Sequence, residues 1–273
     1  MLATAPVVRP LPEVLVELRS KGLRRGVTDA SVPREPPIST GFAELDDALR
    51  TDGLPRGSCT LLDADRGSGA TTLALHTLAA AQRGGGLAAY VDVAGSFDPA
   101  TAARLGVRLE WLLVVRPATI DEAVEISGWL ARSRLIDAFV LDLVGARRPV
   151  VAAATSAAAR SLDRLAQVLA RTSATGILLT GRADREAGFQ VAGVRIALER
   201  RAWLAIGRDL VGQRVAATVT RHRWAVPGGR AELDLWFAEG RRIDPMVARR
   251  AETRELPPSV VERTADRVRV LTA

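Results

Sequence analysis

The chain has 273 residues, 48% of them hydrophobic and 25% charged, with a formal net charge of +7. That is enough apolar material to bury one sizeable core with a small appendage, which excludes a chain disordered throughout. No apolar run approaches the ~18 to 20 residues that a membrane-spanning helix needs, and the start has no basic segment leading into an apolar stretch and cleavage site, so a cytoplasmic protein is expected. The single cysteine, Cys59, has no internal disulfide partner and falls in an apolar strand, where a buried thiol is expected.

The positive charge is unevenly placed. Residues 195–254 hold thirteen basic residues against seven acidic ones. A basic face suits nucleic acid or an acidic partner. Lys21 is the only lysine, so arginine carries nearly all of the charge, as a GC-rich genome would produce, and the count alone leaves either origin open.

In chain order, residues 11–22 have helical spacing, with Leu11, Leu15 and Leu18 on one face, Pro12 near the start and Gly22 as a stop. Residues 24–37 are polar and contain Pro33, Pro36 and Pro37, which predicts an extended linker. The stretch 57–83 then reads strand, glycine loop, helix. Ser58 to Leu62 is apolar and β-branched, Asp63 to Gly69 is turn-forming, and Thr71 to Arg83 places Leu73, Leu75, Leu78 and Ala79 at helical spacing.

This is the frame of a phosphate-binding loop. In GxxxxGK[ST] the glycines let backbone N–H groups wrap phosphate, the lysine reaches the outer phosphates, and the hydroxyl holds magnesium. Ala64 takes the first glycine position, Gly69 the second, Ala70 the lysine and Thr71 the hydroxyl. A helix N-terminus with its hydroxyls still attracts an anion, so Gly67, Ser68, Gly69, Thr71 and Thr72, with Asp142, form the candidate anion site. The charge that stabilises a transferring phosphoryl group is missing from it.

Beyond the loop the pattern alternates. Strands are expected at Leu87–Asp92, Leu112–Val115, Ala138–Asp142 and Gly176–Thr180, with helical segments at Pro99–Leu105, Ile120–Arg132 and Ser156–Thr172. Such alternation predicts an α/β fold with a mostly parallel twisted sheet covered on both faces and ligands at the carboxyl ends of its strands. After Gly193 the strands Val194–Leu198, Trp203–Ile206, Val215–Arg221 and Ala231–Trp236 are expected to extend the sheet by antiparallel hairpins. Asp142, closing the apolar strand AFVLD, stands where a phosphate-loop protein keeps a second magnesium-directing carboxylate. His76 and His222 have no companions at metal-ligand spacing, so no metal site is expected. The five tryptophans are scattered and read as core or rim residues.

With the phrase ISTGFAELDDALRTDGLPRG (38–57) upstream of the loop, the chain resembles the RecA recombinase family. DVAGSFDPATAARLGV (92–107) is similar to the RecA segment bearing the catalytic glutamate and adenine contacts, and ATVTRHRWAVPGGRAELDLWFAEG (217–240) to the stretch that closes the RecA core. The resemblance implies a RecA-like core over 38–245, an N-terminal helix and linker over 1–37, and a C-terminal tail over 246–273 that reads as a flexible arm or partner-docking segment. It also exposes three departures: Ala70 for the lysine, Ala94 for the glutamate that activates water, and Thr101 for the tyrosine that stacks on adenine. Loss of all three argues against ATP turnover, so no enzyme activity and no cofactor are expected.

RecA holds single-stranded DNA with two mobile loops. The corresponding segments here look shorter but keep Arg147, Arg148, Arg182 and Arg185, which are candidate phosphate contacts or else solvated charges. Arg221 and Arg223 match basic residues that in RecA filaments reach the neighbour's ATP. They stand as an interface remnant, a DNA contact, or the exposed side of a strand whose other face carries Val219 and His222.

Degenerate RecA relatives of this length resemble the ImuA family. That resemblance implies an accessory role in DNA-damage-induced (SOS) mutagenesis and translesion synthesis, with RecA, the polymerase-like ImuB and weakly held DNA as partners, near the nucleoid. Leu15 and Leu18 would then serve as a docking face. The alternatives are a divergent nucleotide-dependent DNA-binding ATPase and a RecA-fold inhibitor of cell division.

Overall fold

The structure, a computed structural model, describes residues 36–65, 67–144, 157–180, 192–237 and 252–255, with Glu13 as an isolated helical position. Leu15 and Leu18, the linker before Pro36, Arg147, Arg148, Arg182, Arg185 and the tail beyond Glu255 lie outside the described residues.

The elements are α1 (Ala43–Leu49), β1 (Ser58–Ala64), α2 (Ala70–Arg83), β2 (Leu87–Asp92), α3 (Pro99–Arg104), β3 (Leu112–Val115), α4 (Ile120–Arg132), β4 (Ile136–Asp142), α5 (Ala157–Leu169), β5 (Thr175–Thr180), β6 (Val194–Ile206), β7 (Asp209–His222), β8 (Arg230–Trp236) and β9 (Glu252–Glu255). One sheet takes the order β3-β2-β4-β5-β1-β6-β7-β8, with β9 paired to β6. From β3 to β6 all neighbours are parallel, whereas β6, β7 and β8 are antiparallel. The expected architecture is therefore present: a mostly parallel α/β sheet extended by antiparallel strands.

The central strands are mostly apolar and buried because both faces of the sheet are covered. β1, β2 and β4 are buried throughout. Leu62 and Ala64 of β1 face the core that contains Leu73 and Leu78 of α2. Cys59 and Leu61, at the intervening positions, face the core of Leu130 from α4 and Leu165 and Leu169 from α5. Burial pushes the Cys59 thiol up to about 12, consistent with an inert structural group.

Helix ends follow local chemistry. Thr119 caps α4 by accepting the Glu122 N–H at 3.1 Å, and the Glu122 carboxylate accepts the N–H of Ala118, one residue before the cap, at 2.7 Å, a variant of the T-x-x-E capping box. Asp98 caps α3, with Pro99 in its first turn. The phrase at 38–54 forms a clip. Ile38 and Leu54 exchange backbone hydrogen bonds, and Asp46 accepts from Ser39 Oγ at 2.6 Å and from the Thr40 N–H and hydroxyl at 2.9 and 2.7 Å.

Two segments differ from expectation. Residues 194–206 form one 13-residue strand, where two are expected, because bulges between Arg200 and Ala202 and between Leu204 and Ala205 break the alternation without ending the pairing. Residues 252–255, expected in the tail, join the sheet antiparallel to Ala202–Ala205. β1 occupies the same edge of β6 over Val194–Leu198, so β9 takes up the edge where β1 stops.

Candidate functional site

β1 ends at Ala64 and α2 begins at Ala70, so the loop between them sits at the carboxyl end of a central strand with a helix N-terminus aimed over it. Its glycines are conformational requirements. Gly67 and Gly69 have φ of +78° and +86°, and a Cβ on Gly69 would lie 2.1 Å from Leu235 Cδ1. Ser68 is buried, and its N–H donates to Asp65 O at 3.0 Å. Ala70 is the first helical residue, with Thr71 and Thr72 following in the first turn.

Asp142, closing β4, comes to the same place. Its Oδ2 accepts from the Tyr90 hydroxyl at 2.7 Å and its Oδ1 from the Val144 N–H at 2.9 Å. The Thr71 side chain interacts with the same phenol, so Tyr90 brings the loop hydroxyl and the strand-end carboxylate together. Burial raises the Asp142 carboxyl above its ordinary range, against the lowering effect of the Tyr90 hydrogen bond. Burial, then the Asp142 charge, raises the Tyr90 hydroxyl.

Beside Asp142 in the sheet register, buried Asp92 accepts the Ser96 and Phe97 N–H groups, each at 2.9 Å, and Arg116 lies 3.5 Å from it. This holds the turn that carries Ala94, which is exposed. Thr101 is engaged in α3, its hydroxyl donating to Asp98 at 2.5 Å. On the β6 side, Arg200 Nη1 reaches Gly67 O at 3.4 Å while its guanidinium lies 4.3 Å from the Trp203 ring centroid. A carbonyl acceptor puts Arg200 on the outside of the loop, as a buttress.

Of the expected anion-site residues, Gly67, Ser68, Gly69, Thr71 and Thr72 share the loop and the first turn of α2, and Asp142 is joined to Thr71 through Tyr90. Arg221 and Arg223 do not join them: Val194, which pairs with His222, lies opposite Thr60 near the start of β1, so these arginines sit at the other end of that strand. A bulge at Thr220 turns Val219 and His222 to the buried side and leaves Arg221 and Arg223 outside. Sequence reasoning missed Tyr90, Arg200 and Leu235. Tyr90, the single tyrosine in the chain, carries the one polar group of its strand before Asp92, which was the available signal.

A central-strand end, a glycine loop and a helix N-terminus define a phosphate-loop fold of the nucleotide-binding type. Residues 26–175 match the family described as the RecA N-terminal domain. The chain is 33% identical over 237 residues to Protein RecA of Chlorobaculum tepidum, covering 78% of this chain and 68% of that protein. It is 35% identical over 228 residues to Protein RecA of Clavibacter michiganensis, covering 74% and 63%. The chain belongs to the RecA family, and spans about two thirds of the length of these relatives. Its fold is also that of a solved structure, the RadB recombinase, with a TM-score of 0.55 at 20% identity over 72% of this chain and 95% of that one.

Proposed function

We propose that the protein is a non-hydrolysing RecA-like accessory factor in DNA-damage-induced mutagenesis and translesion synthesis, acting by binding RecA, an ImuB-like polymerase-family protein or DNA. The observation that carries this is Ala70 at the head of α2, where a phosphate-loop protein places its lysine. Ala94 and Thr101 add to it, since neither side chain can activate water or stack on a base. A family fold kept without its charge clamp is most simply explained by a surface put to use in binding.

Magnesium is the ion such a fold implies. Thr71 and Asp142 supply the oxygens that would hold it beside a phosphate, and their shared contact with Tyr90 keeps them together. These residues fit the ion, which would neutralise phosphate charge. The clamping cation is what the loop lacks. The retained Thr71 and Asp142 oxygens favour one second reading, a divergent nucleotide-dependent DNA-binding ATPase.

Steady-state phosphate release separates the two. The purified protein is expected to release none above background, with or without single-stranded DNA. Turnover comparable to an active RecA would establish the ATPase, and Thr71→Ala should then abolish it.

A further inference from the structure

We infer that Gln213 of β7 is an anion-binding residue, whose side-chain amide meets a phosphoryl oxyanion at the N-terminus of α2, where a phosphate loop ordinarily uses its lysine. This rests on the anion site described above and adds to it a side chain from a distant strand.

One face of β7 packs toward α2. Val215, Ala217 and Val219 on that face enter the same core as Leu73 and Leu78 of α2. Gln213, two residues before Val215, continues the row to the end of the core that abuts the glycine loop. A Cβ on Gly69 would lie 3.0 Å from Gln213 Nε2 and would run into Leu235, the partner of Gln213 across the β7–β8 ladder. The amide therefore ends beside the residue that precedes α2.

Gln213 is 3% exposed, and its amide makes no hydrogen bond among the described residues. It is not sealed from solvent, so the little of Gln213 that remains accessible includes the amide. A buried amide is ordinarily hydrogen-bonded. Ser68, 5% exposed in the loop itself, has a hydroxyl in the same condition. α2 has no side-chain cap, so no capping oxygen takes up the N–H groups of its first turn.

Three kinds of donor thus gather at one helix end: first-turn N–H groups, the Ser68 hydroxyl and the Gln213 amide. The helix dipole adds partial positive charge there. An oxyanion, with several acceptor oxygens and a negative charge, satisfies such a set. A single water, with two lone pairs, leaves donors over. Arg200 also reaches the loop, but its Nη1 is engaged by Gly67 O and its Nε is closed to solvent, so neither nitrogen is offered to a ligand. Inorganic phosphate and the terminal phosphate of a nucleotide share the chemistry that fits.

The test is nuclear magnetic resonance of the nitrogen-15-labelled full chain, titrated with inorganic phosphate and separately with ADP, in chelator and at constant ionic strength. The Gln213 side-chain amide and the Gly69 backbone amide are both expected to shift saturably with phosphate. Gln213→Leu, followed through Gly69, should bind about tenfold more weakly. Its urea midpoint without phosphate should hold or rise, since leucine in this apolar row leaves no donor unpaired; an amide with a purely structural role would move the midpoint down and leave affinity alone. Arg208→Ala, in the exposed turn between β6 and β7, should bind like wild type. An ADP response with the same dependence on Gln213 assigns the site to a nucleotide's phosphate, and a response to phosphate alone assigns it to the free ion. The inference is overturned if Gln213→Leu binds phosphate like wild type, or if phosphate leaves the Gln213 amide unmoved. In the second case a shift at Gly69 keeps the anion site without Gln213, and no shift at either removes the site as well. Should Gln213→Leu fail to fold, the wild-type Gln213 amide decides alone. The accessory role, measured by phosphate release and co-purification, is tested apart from all of these.

Discussion

His222 has a defined hydrogen-bonding state. Its Nδ1 accepts the Trp224 N–H, so the proton sits on Nε2, which lies 3.3 Å from Thr51 Oγ1; that hydroxyl gives its own proton to Gly53 O at 2.9 Å. Protonating Nδ1 would break the Trp224 bond, and burial lowers the imidazole below its ordinary range. His76 is lowered too, first by burial and then by the Arg83 charge. For a base whose folded pKa is depressed, the unfolded chain binds the proton more readily. The stabilisation is complete above the unfolded pKa of about 6.5 and is lost as pH falls toward the folded value. Urea midpoints measured on either side of about 6.5 should therefore fall on the acid side, and His222→Gln should flatten part of that dependence. A wild-type midpoint independent of pH across this window would contradict the lowering of both imidazoles by burial.

Among the elements, the join between α2 and β3 rests on one side chain. Gln82, buried at the end of α2, donates from Nε2 to Arg108 O and Trp111 O, each at 3.0 Å, and accepts the Arg108 N–H at 2.8 Å. Arg108 in turn donates to Gln82 O and lies over the Trp111 ring. Gln82→Ala strands two carbonyls and an amide, and should cost about 2 to 4 kcal/mol, read as a lower denaturation midpoint with an unchanged m-value; a loss below about 1 kcal/mol would mean that water replaces the amide. Gln82 reads in sequence as an ordinary polar helix residue, because its three partners lie 26 and 29 positions away. Elements defined by local periodicity were legible: β2, β3 and α4 fall on their expected bounds. Those defined by distant pairing were not. The seven residues of α1 give too short a pattern, the bulged β6 looks like two strands, and β9 is ETRE, polar at every position. At the candidate site the glycines and Asp142 could be read from motif spacing. Tyr90 could not, because its role depends on β2 and β4 lying in register.

For the whole molecule, the question is how the sheet protects its edges. β6 is longer than β1, and beyond Leu198 its edge would be left open but for β9, which covers Ala202–Ala205. That stretch is apolar on the protected side, with Ala202, Leu204 and Ala205 all buried. An uncovered edge of unpaired N–H and C=O groups beside buried apolar side chains is a template for association with another chain. It also lies next to Arg200 and Trp203, which buttress the glycine loop, so fraying there would reach the candidate anion site. Ending the chain at Arg250 removes β9. About four strand hydrogen bonds at roughly 0.5 to 1 kcal/mol each put the loss near 2 to 4 kcal/mol, which for a domain of this size lowers the melting temperature by about 5 to 15 °C. Light scattering on the same sample should rise with concentration well below the melt, since the exposed edge of β6 can then pair between molecules. A truncated chain that melts with the full-length protein and scatters no more light would mean that β9 does not hold this edge in solution.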